Sequence, residues 1–278
     1  MEPRLEIDNQ DTQIATLGPA KITSPLALSA EDGGANLVSD GERILVDVAA
    51  HRIMETIRGG GTPSSLELAG PREKIYFDPS KLRCAVVTCG GLCPGLNDII
   101  RAIVLQLHYG YGVRNIYGIR YGLEGFIPDY GHEILDLTPQ AVGSIHQMGG
   151  SILGSSRGPQ SIDQIIDCLE RMNIGALFMV GGDGTIKAAS KINAAIAGRG
   201  LHIAVVAIPN TIDNDIYLVS RSFGFDTAVS VATQAIVAAH NESAGYPNGI
   251  GLIKLMGRYS GYIAATTALA QQDVNFVL

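Results

Sequence analysis

The sequence predicts an α/β fold: a mostly parallel sheet with helices on both faces, arranged as two similar domains of which the second is incomplete. Three observations predict it. Short apolar runs alternate with helical apolar periods from Leu82 onward, glycine-rich turns follow the strand candidates directly, and a second set of alternating segments begins after Phe225. With 278 residues there is enough chain for one large domain or two ordinary ones.

Taken in order, residues 1–74 form an extension with little sustained period. Within it, 42–57 carries Ile44, Val48, Ile53 and Ile57 at three- to five-residue steps, which predicts a helix ended by Gly59-Gly60-Gly61-Thr62-Pro63. The first domain covers 75–224. Its apolar run at 84–88 predicts a buried strand, and 97–108 an amphipathic helix through Ile99, Ile100, Ile103, Val104 and Leu107. Strands at 115–119, 176–180 and 203–208 alternate with helices at 161–172 and 185–197. The second domain, 225–278, opens with a helix at 226–240, a strand at 250–255 and a helix at 260–269. Residues 274–278 have the character of the middle of a buried strand, so an incomplete domain is expected.

Composition excludes several classes. Apolar residues make up 46% and charged residues 17%, which suits a well-buried globule rather than a disordered chain. The formal net charge of -7, without a basic stripe, argues against a nucleic-acid partner. No apolar run reaches the ~18 residues of a membrane span, and the first residues lack a signal-peptide pattern. Cys84, Cys89, Cys93 and Cys168 suggest no disulfide framework, which points to a reducing, cytoplasmic setting.

Each motif has a functional and a plain explanation. Residues 89–97, Cys-Gly-Gly-Leu-Cys-Pro-Gly-Leu-Asn, sit between strand and helix. Their backbone N–H groups and the helix N-terminus suit a phosphate, while an ordinary tight turn capped by Asn97 is the alternative. Gly181-Gly182-Asp183-Gly184-Thr185 repeats the pattern with a carboxylate, Asp183, suited to Mg²⁺ or simply to capping the next helix. Neither a Walker loop nor a G-x-G-x-x-G fingerprint occurs.

Residues 209–215, Pro-Asn-Thr-Ile-Asp-Asn-Asp, carry the densest chemistry. An extended chain puts Thr211, Asp213 and Asp215 on one face, and paired carboxylates raise one pKa in favour of a general base. A turn rich in Asx side chains accounts for the same residues. Arg157 and Arg258 stand beside glycines, in the geometry of phosphoryl clamps or as surface charges. His146 and His240 have no metal-ligand spacing.

Five ordered motifs resemble the phosphofructokinase family: residues 90–97, Gly154-Ser155-Ser156-Arg157, residues 181–185, residues 209–215 and Met256-Gly257-Arg258. The fuller strings at 222–229 and 248–258, and the N-terminal extension, are similar to its long, plant- and trypanosomatid-type branch. The resemblance implies phosphoryl transfer from ATP, with Mg²⁺, to the 1-hydroxyl of fructose 6-phosphate. In that picture Asp213 is the general base, Arg258 offsets transition-state charge and Asp183 holds the metal. Gly90, Arg157, Gly158, Gly182, Asp183, Gly184 and Thr185 embrace the donor, making 75–224 the donor domain. Thr211, Ile212, Asp213, Asp215, Met256, Gly257 and Arg258 serve the sugar phosphate, whose domain begins at 225. A cytoplasmic homo-oligomer under allosteric control is implied as well.

The chain departs from the family pattern at several places. Gly184 stands where pyrophosphate enzymes commonly carry Asp, and favours a nucleotide. Asn210 matches neither the Gly nor the Lys common at its position. Gly249 replaces an Arg of many bacterial members. A pyrophosphate-dependent version of the same reaction therefore stays open, as does a non-catalytic nucleotide-binding protein.

Overall fold

The computed structural model describes residues 12–30 and 36–278. Two compact units divide them: the residues up to Lys81 together with Tyr109–Gly112, and Leu82–His108 with Val113–Leu278.

Two small antiparallel pairs organise the first unit. Strand β1 (Ile22–Thr23) pairs with β4 (Lys74–Ile75), and β2 (Arg43–Leu45) with β3 (Ser65–Glu67). Helix α1 spans Pro25–Ala30 and α2 spans Ala50–Arg58. The helix expected over 42–57 is thus corrected: its first part is strand β2. The break has a local cause. The Asp47 carboxylate accepts the Ala49 N–H at 2.8 Å, an Asx turn that redirects the chain into α2, and this bond holds its pKa below the usual carboxylate value. The Arg43 guanidinium donates to the Ser65 carbonyl (2.6 Å) and hydroxyl (2.8 Å), fixing the β2–β3 pair.

The second unit is built on a five-stranded sheet in the order β7-β6-β5-β8-β9. Its strands are β5 (Arg83–Thr88), β6 (Asn115–Ile119), β7 (Ile134–Asp136), β8 (Ala176–Gly181) and β9 (Ala204–Pro209). All pairs are parallel except β6–β7. Cys84 through Val87 are fully buried, which explains why β5 is a continuous apolar run rather than an alternating one. Helices α3 (Leu96–Leu105), α4 (Ile162–Arg171) and α5 (Asp183–Gly198) connect the strands. The main core gathers Ile165, Ile166 and Leu169 of α4, Ile192 and Ile196 of α5, and Leu177 and Met179 of β8. Ser161 caps α4 through Gln164 N–H, as its position before an apolar period leads one to expect.

Helices α6 (Phe225–Ala244) and α7 (Tyr262–Ala270) follow. Between and after them two expected strands are absent. Residues 250–255 and 274–278 form no strand among the described residues, and Ile250, Leu252 and Phe276 stand largely exposed. Neither segment has a neighbouring strand to complete its backbone hydrogen bonds. No helix of the described residues is long and apolar enough to cross a membrane.

Candidate active site

Because β6, β5, β8 and β9 run parallel, the loops after them emerge at one edge of the sheet, as the glycine turns lead one to expect. After β5, Gly90 adopts a left-handed φ of 89° and donates its N–H to the Ser156 carbonyl at 3.1 Å, while the Ser155 hydroxyl returns a bond to the Gly90 carbonyl at 2.6 Å. The Arg157 guanidinium rests on Gly91: a Cβ there would lie 2.9 Å from Nη2. Arg157 is exposed and has no carboxylate partner among the described residues. Helix α3 is capped by left-handed Gly95, not by Asn97. Asn97 instead bridges Ile152 N–H (2.9 Å) and the Met148 carbonyl (3.0 Å), pinning the 148–152 loop to α3.

These loops border an open cleft of about 620 Å³ lined by Gly90, Leu92, Gly149, Gly154, Arg157 and Tyr121. Tyr121 was not a sequence candidate. Its φ of 57° is unusual for a bulky residue, and its ring covers Gly154, where a Cβ would sit 2.9 Å away. Only its place beside Gly122 after a strand hinted at a role.

After β8, Gly182 starts α5 with no side-chain cap, and Asp183 occupies the first turn, where a carboxylate suits the helix dipole. Asp183 is half-exposed and ion-paired with Lys187 at 2.7 Å. A side chain at Gly181 would collide with the Thr185 hydroxyl and the Cys89 carbonyl, so the first two cradles interlock. Around Gly184, by contrast, nothing lies within 4 Å of a built Cβ. Among the described residues no three His, Cys, Asp or Glu side chains form a metal cluster.

After β9 the chain makes a turn, which corrects the extended segment expected at 211–215. Asp213 N–H bonds the Thr211 hydroxyl (3.2 Å), and Asn214 adopts a left-handed φ of 51°. Buried Asn214 accepts the Ser222 N–H (2.7 Å) and donates to the Ser220 carbonyl (3.1 Å), closing the loop on itself. Asx chemistry wins here because buried amides satisfy a loop backbone that has no strand partner. Ile212 anchors the turn against the cluster of Phe225, Ala232 and Ile263. Thr211 abuts Gly182, whose Cβ would lie 3.3 Å from it, so the acidic loop meets the second cradle.

Asp213 is half-buried and Asp215 exposed. Partial burial, then the charge of Asp215, raise the Asp213 pKa; Arg258 opposes the rise. Ser260 donates its hydroxyl to the Asp213 carbonyl at 2.5 Å, which brings the Met256-Gly257-Arg258 turn to the acidic loop. Arg258 is itself left-handed (φ 50°), and its guanidinium lies over the Tyr259 ring, with no carboxylate within ion-pair distance among the described residues. Met256 and Gly158 are exposed. Cys93, behind the first cradle, has a thiol pushed up to about 11 by burial and by Asp213.

The family model described as Phosphofructokinase matches residues 83–278. The chain belongs to the phosphofructokinase family. An ATP-dependent 6-phosphofructokinase of Borreliella burgdorferi is 48% identical over 276 residues, 99% of this chain and 61% of that protein. One of Trypanosoma cruzi is 46% identical over 217 residues, 78% of this chain and 45% of that protein. The chain thus spans about half the length of the curated relatives it matches. The Borreliella match also runs through the N-terminal extension. The fold is similar to that of Pichia pastoris phosphofructokinase in the T-state, with a TM-score of 0.58 and 24% identity over 70% of this chain and 21% of that one.

Proposed function

We propose that the protein transfers a phosphoryl group from ATP to the 1-hydroxyl of fructose 6-phosphate, giving fructose 1,6-bisphosphate. The observation that carries this reading is the meeting of the acidic loop with the glycine cradle at Gly182 and Thr211, with the Arg258 turn tied to the same loop through Ser260 and the Asp213 carbonyl. The names of the relatives support the choice of donor and acceptor.

Asp213 takes the hydroxyl proton. Partial burial and the charge of Asp215 push its pKa up, and a carboxylate with a raised pKa is a stronger proton acceptor. Arg258, whose charge already acts on Asp213, offsets charge that builds on the transferring group, and with Thr211, Ile212, Asp215, Met256 and Gly257 forms the sugar-phosphate side. The N–H groups at the start of α5, with Gly90, Arg157 and Gly158, face the donor phosphates. The open space at Gly184 leaves room for a nucleotide. Asp183 suits Mg²⁺: its half-exposed carboxylate, now paired with Lys187 and outside any metal cluster among the described residues, would serve a metal that takes other ligands from phosphate and water. Asp183 would hold the ion, whose charge would offset that of the donor phosphates. In this reading 75–224 is the donor domain and 225–278 begins the sugar-phosphate domain. The four free, buried cysteines support a reducing cytoplasmic setting. A homo-oligomer is part of the proposal, and light scattering tests it.

Asp213→Ser is expected to lower turnover about 10²–10⁴-fold, the share of a general base, while Mg-ATP binding by calorimetry survives. Near-normal turnover in that variant would sink the assignment. Tighter binding of Mg-pyrophosphate than of Mg-ATP would overturn the donor.

A further inference from the structure

Asn210 sits where the three strand-end loops join and is only 3% exposed. Its backbone N–H bonds the Gly181 carbonyl at 2.9 Å, at the root of the second cradle. Its side-chain nitrogen donates to the Pro94 carbonyl (2.9 Å) in the first cradle and to the Phe223 carbonyl (3.2 Å) just before α6. Both acceptors are carbonyls, so the amide orientation is fixed: an oxygen in that place would face two other oxygens. The side-chain oxygen is buried without a hydrogen-bond partner, which is costly and leaves the two donated bonds as the reason for an amide here. Neighbouring glycines make the space. A Cβ on Gly95 would stand 3.8 Å from the amide nitrogen, and one on left-handed Gly224 would strike the Cys93 sulfur.

We infer that Asn210 is a positioning residue. Its amide fastens the Asp213 loop to the first glycine cradle and to the start of α6, so that base and cradle hold one geometry. The catalytic part of this inference rests on the proposed phosphoryl transfer; the fastening itself does not. Cys93 reports on it directly, because its buried thiol lies 3.5 Å from the Phe223 carbonyl, on the same seam that Asn210 closes.

The test compares Asn210→Asp and Asn210→Gly with the unaltered protein, below the unfolding transition of each. Iodoacetamide labelling of Cys93, followed by peptide mass, should accelerate about tenfold in Asn210→Asp, the scale of a lost buried hydrogen bond. A space-filling role predicts the wild-type rate there, since the two side chains are isosteric, and that result would overturn the proposal. In Asn210→Gly, turnover should fall about tenfold while Mg-ATP affinity stays within about twofold, because misplacement strikes chemistry more than binding. An equal loss in both would also overturn it. Hydrogen exchange of the unaltered protein provides an arm without any variant: amides of 95–97, 210–213 and 223–225 should open together, and separate rates would count against the fastening. Absence of turnover in the unaltered protein would sink the proposed reaction, while the labelling and exchange arms still decide the fastening.

Discussion

Strand β8 and residues 250–255 are alike as sequence and opposite as structure. Each is a six-residue run, Ala-Leu-Phe-Met-Val-Gly in one and Ile-Gly-Leu-Ile-Lys-Leu in the other, and each follows a helix. β8 lies between β5 and β9, hydrogen-bonded on both edges, with Leu177, Met179 and Val180 at 0% exposure. Residues 250–255 have no paired strand, and Leu252 is 89% exposed. Apolar content makes burial favourable, but only neighbours that accept and donate backbone bonds turn a run into a strand. The glycine cradles inherit that difference. Those after β5 and β8 are rigidly interlocked, whereas the Met256-Gly257-Arg258 turn hangs from an unpaired segment and is tied to the acidic loop by Ser260.

Leu177→Ala should show the largest effect, a loss of about 2–5 kcal/mol in urea unfolding, because it empties a closed site at the centre of the sheet. A loss below about 1 kcal/mol would mean that the β8 core is looser than its burial indicates. Next comes Gly181→Ala, which drives a methyl into the Thr185 hydroxyl and Cys89 carbonyl and should cost about 1–3 kcal/mol. Gly184→Ala, three residues on in the open part of the same turn, should stay near the ordinary Gly-to-Ala gain for a helix, about 0.5–1 kcal/mol. Equal effects at the two glycines would erase the distinction between interlocked and open cradle.

The order of strands and helices in the sheet was legible because buried parallel strands are dense apolar runs and the helices between them are amphipathic. β7 was not: three residues paired antiparallel at an edge leave no period to find. In the acidic loop the residue types were legible and their geometry was not. Asp-Asn-Asp alternation fits a strand face as well as a turn, and the decision came from Asn214 and Ser222 satisfying the loop backbone, partners eight residues apart. The cap offered for Asn97 as the plain alternative fails for the same reason. Its side chain reaches the 148–152 loop, a long-range contact that a local capping rule does not contain.

Asp213 connects the two regions and should show a smaller effect of opposite sign. Its folded-state pKa lies above the ordinary 3.8, so folding favours the protonated form. The stability from that preference is present below 3.8 and is lost as pH rises through 3.8 toward the raised value. Asp213→Asn should therefore raise stability at pH 7 by up to about 1 kcal/mol, the range of partly exposed charges, and the gain should vanish below pH 3.8. A gain that persists in acid would show that something other than ionisation sets it.

The smallest effect is expected where the sequence looks most like core. Leu252→Ala removes the same atoms as Leu177→Ala, yet the side chain lies in solvent and leaves no cavity, so unfolding of this chain should shift by less than about 0.5 kcal/mol. The informative measurement is the ratio of the two losses. A ratio near one would mean that residues 250–255 are buried in solution and paired with a strand from elsewhere. A large ratio would confirm that an apolar run without a ladder partner contributes little to stability, however strand-like its sequence.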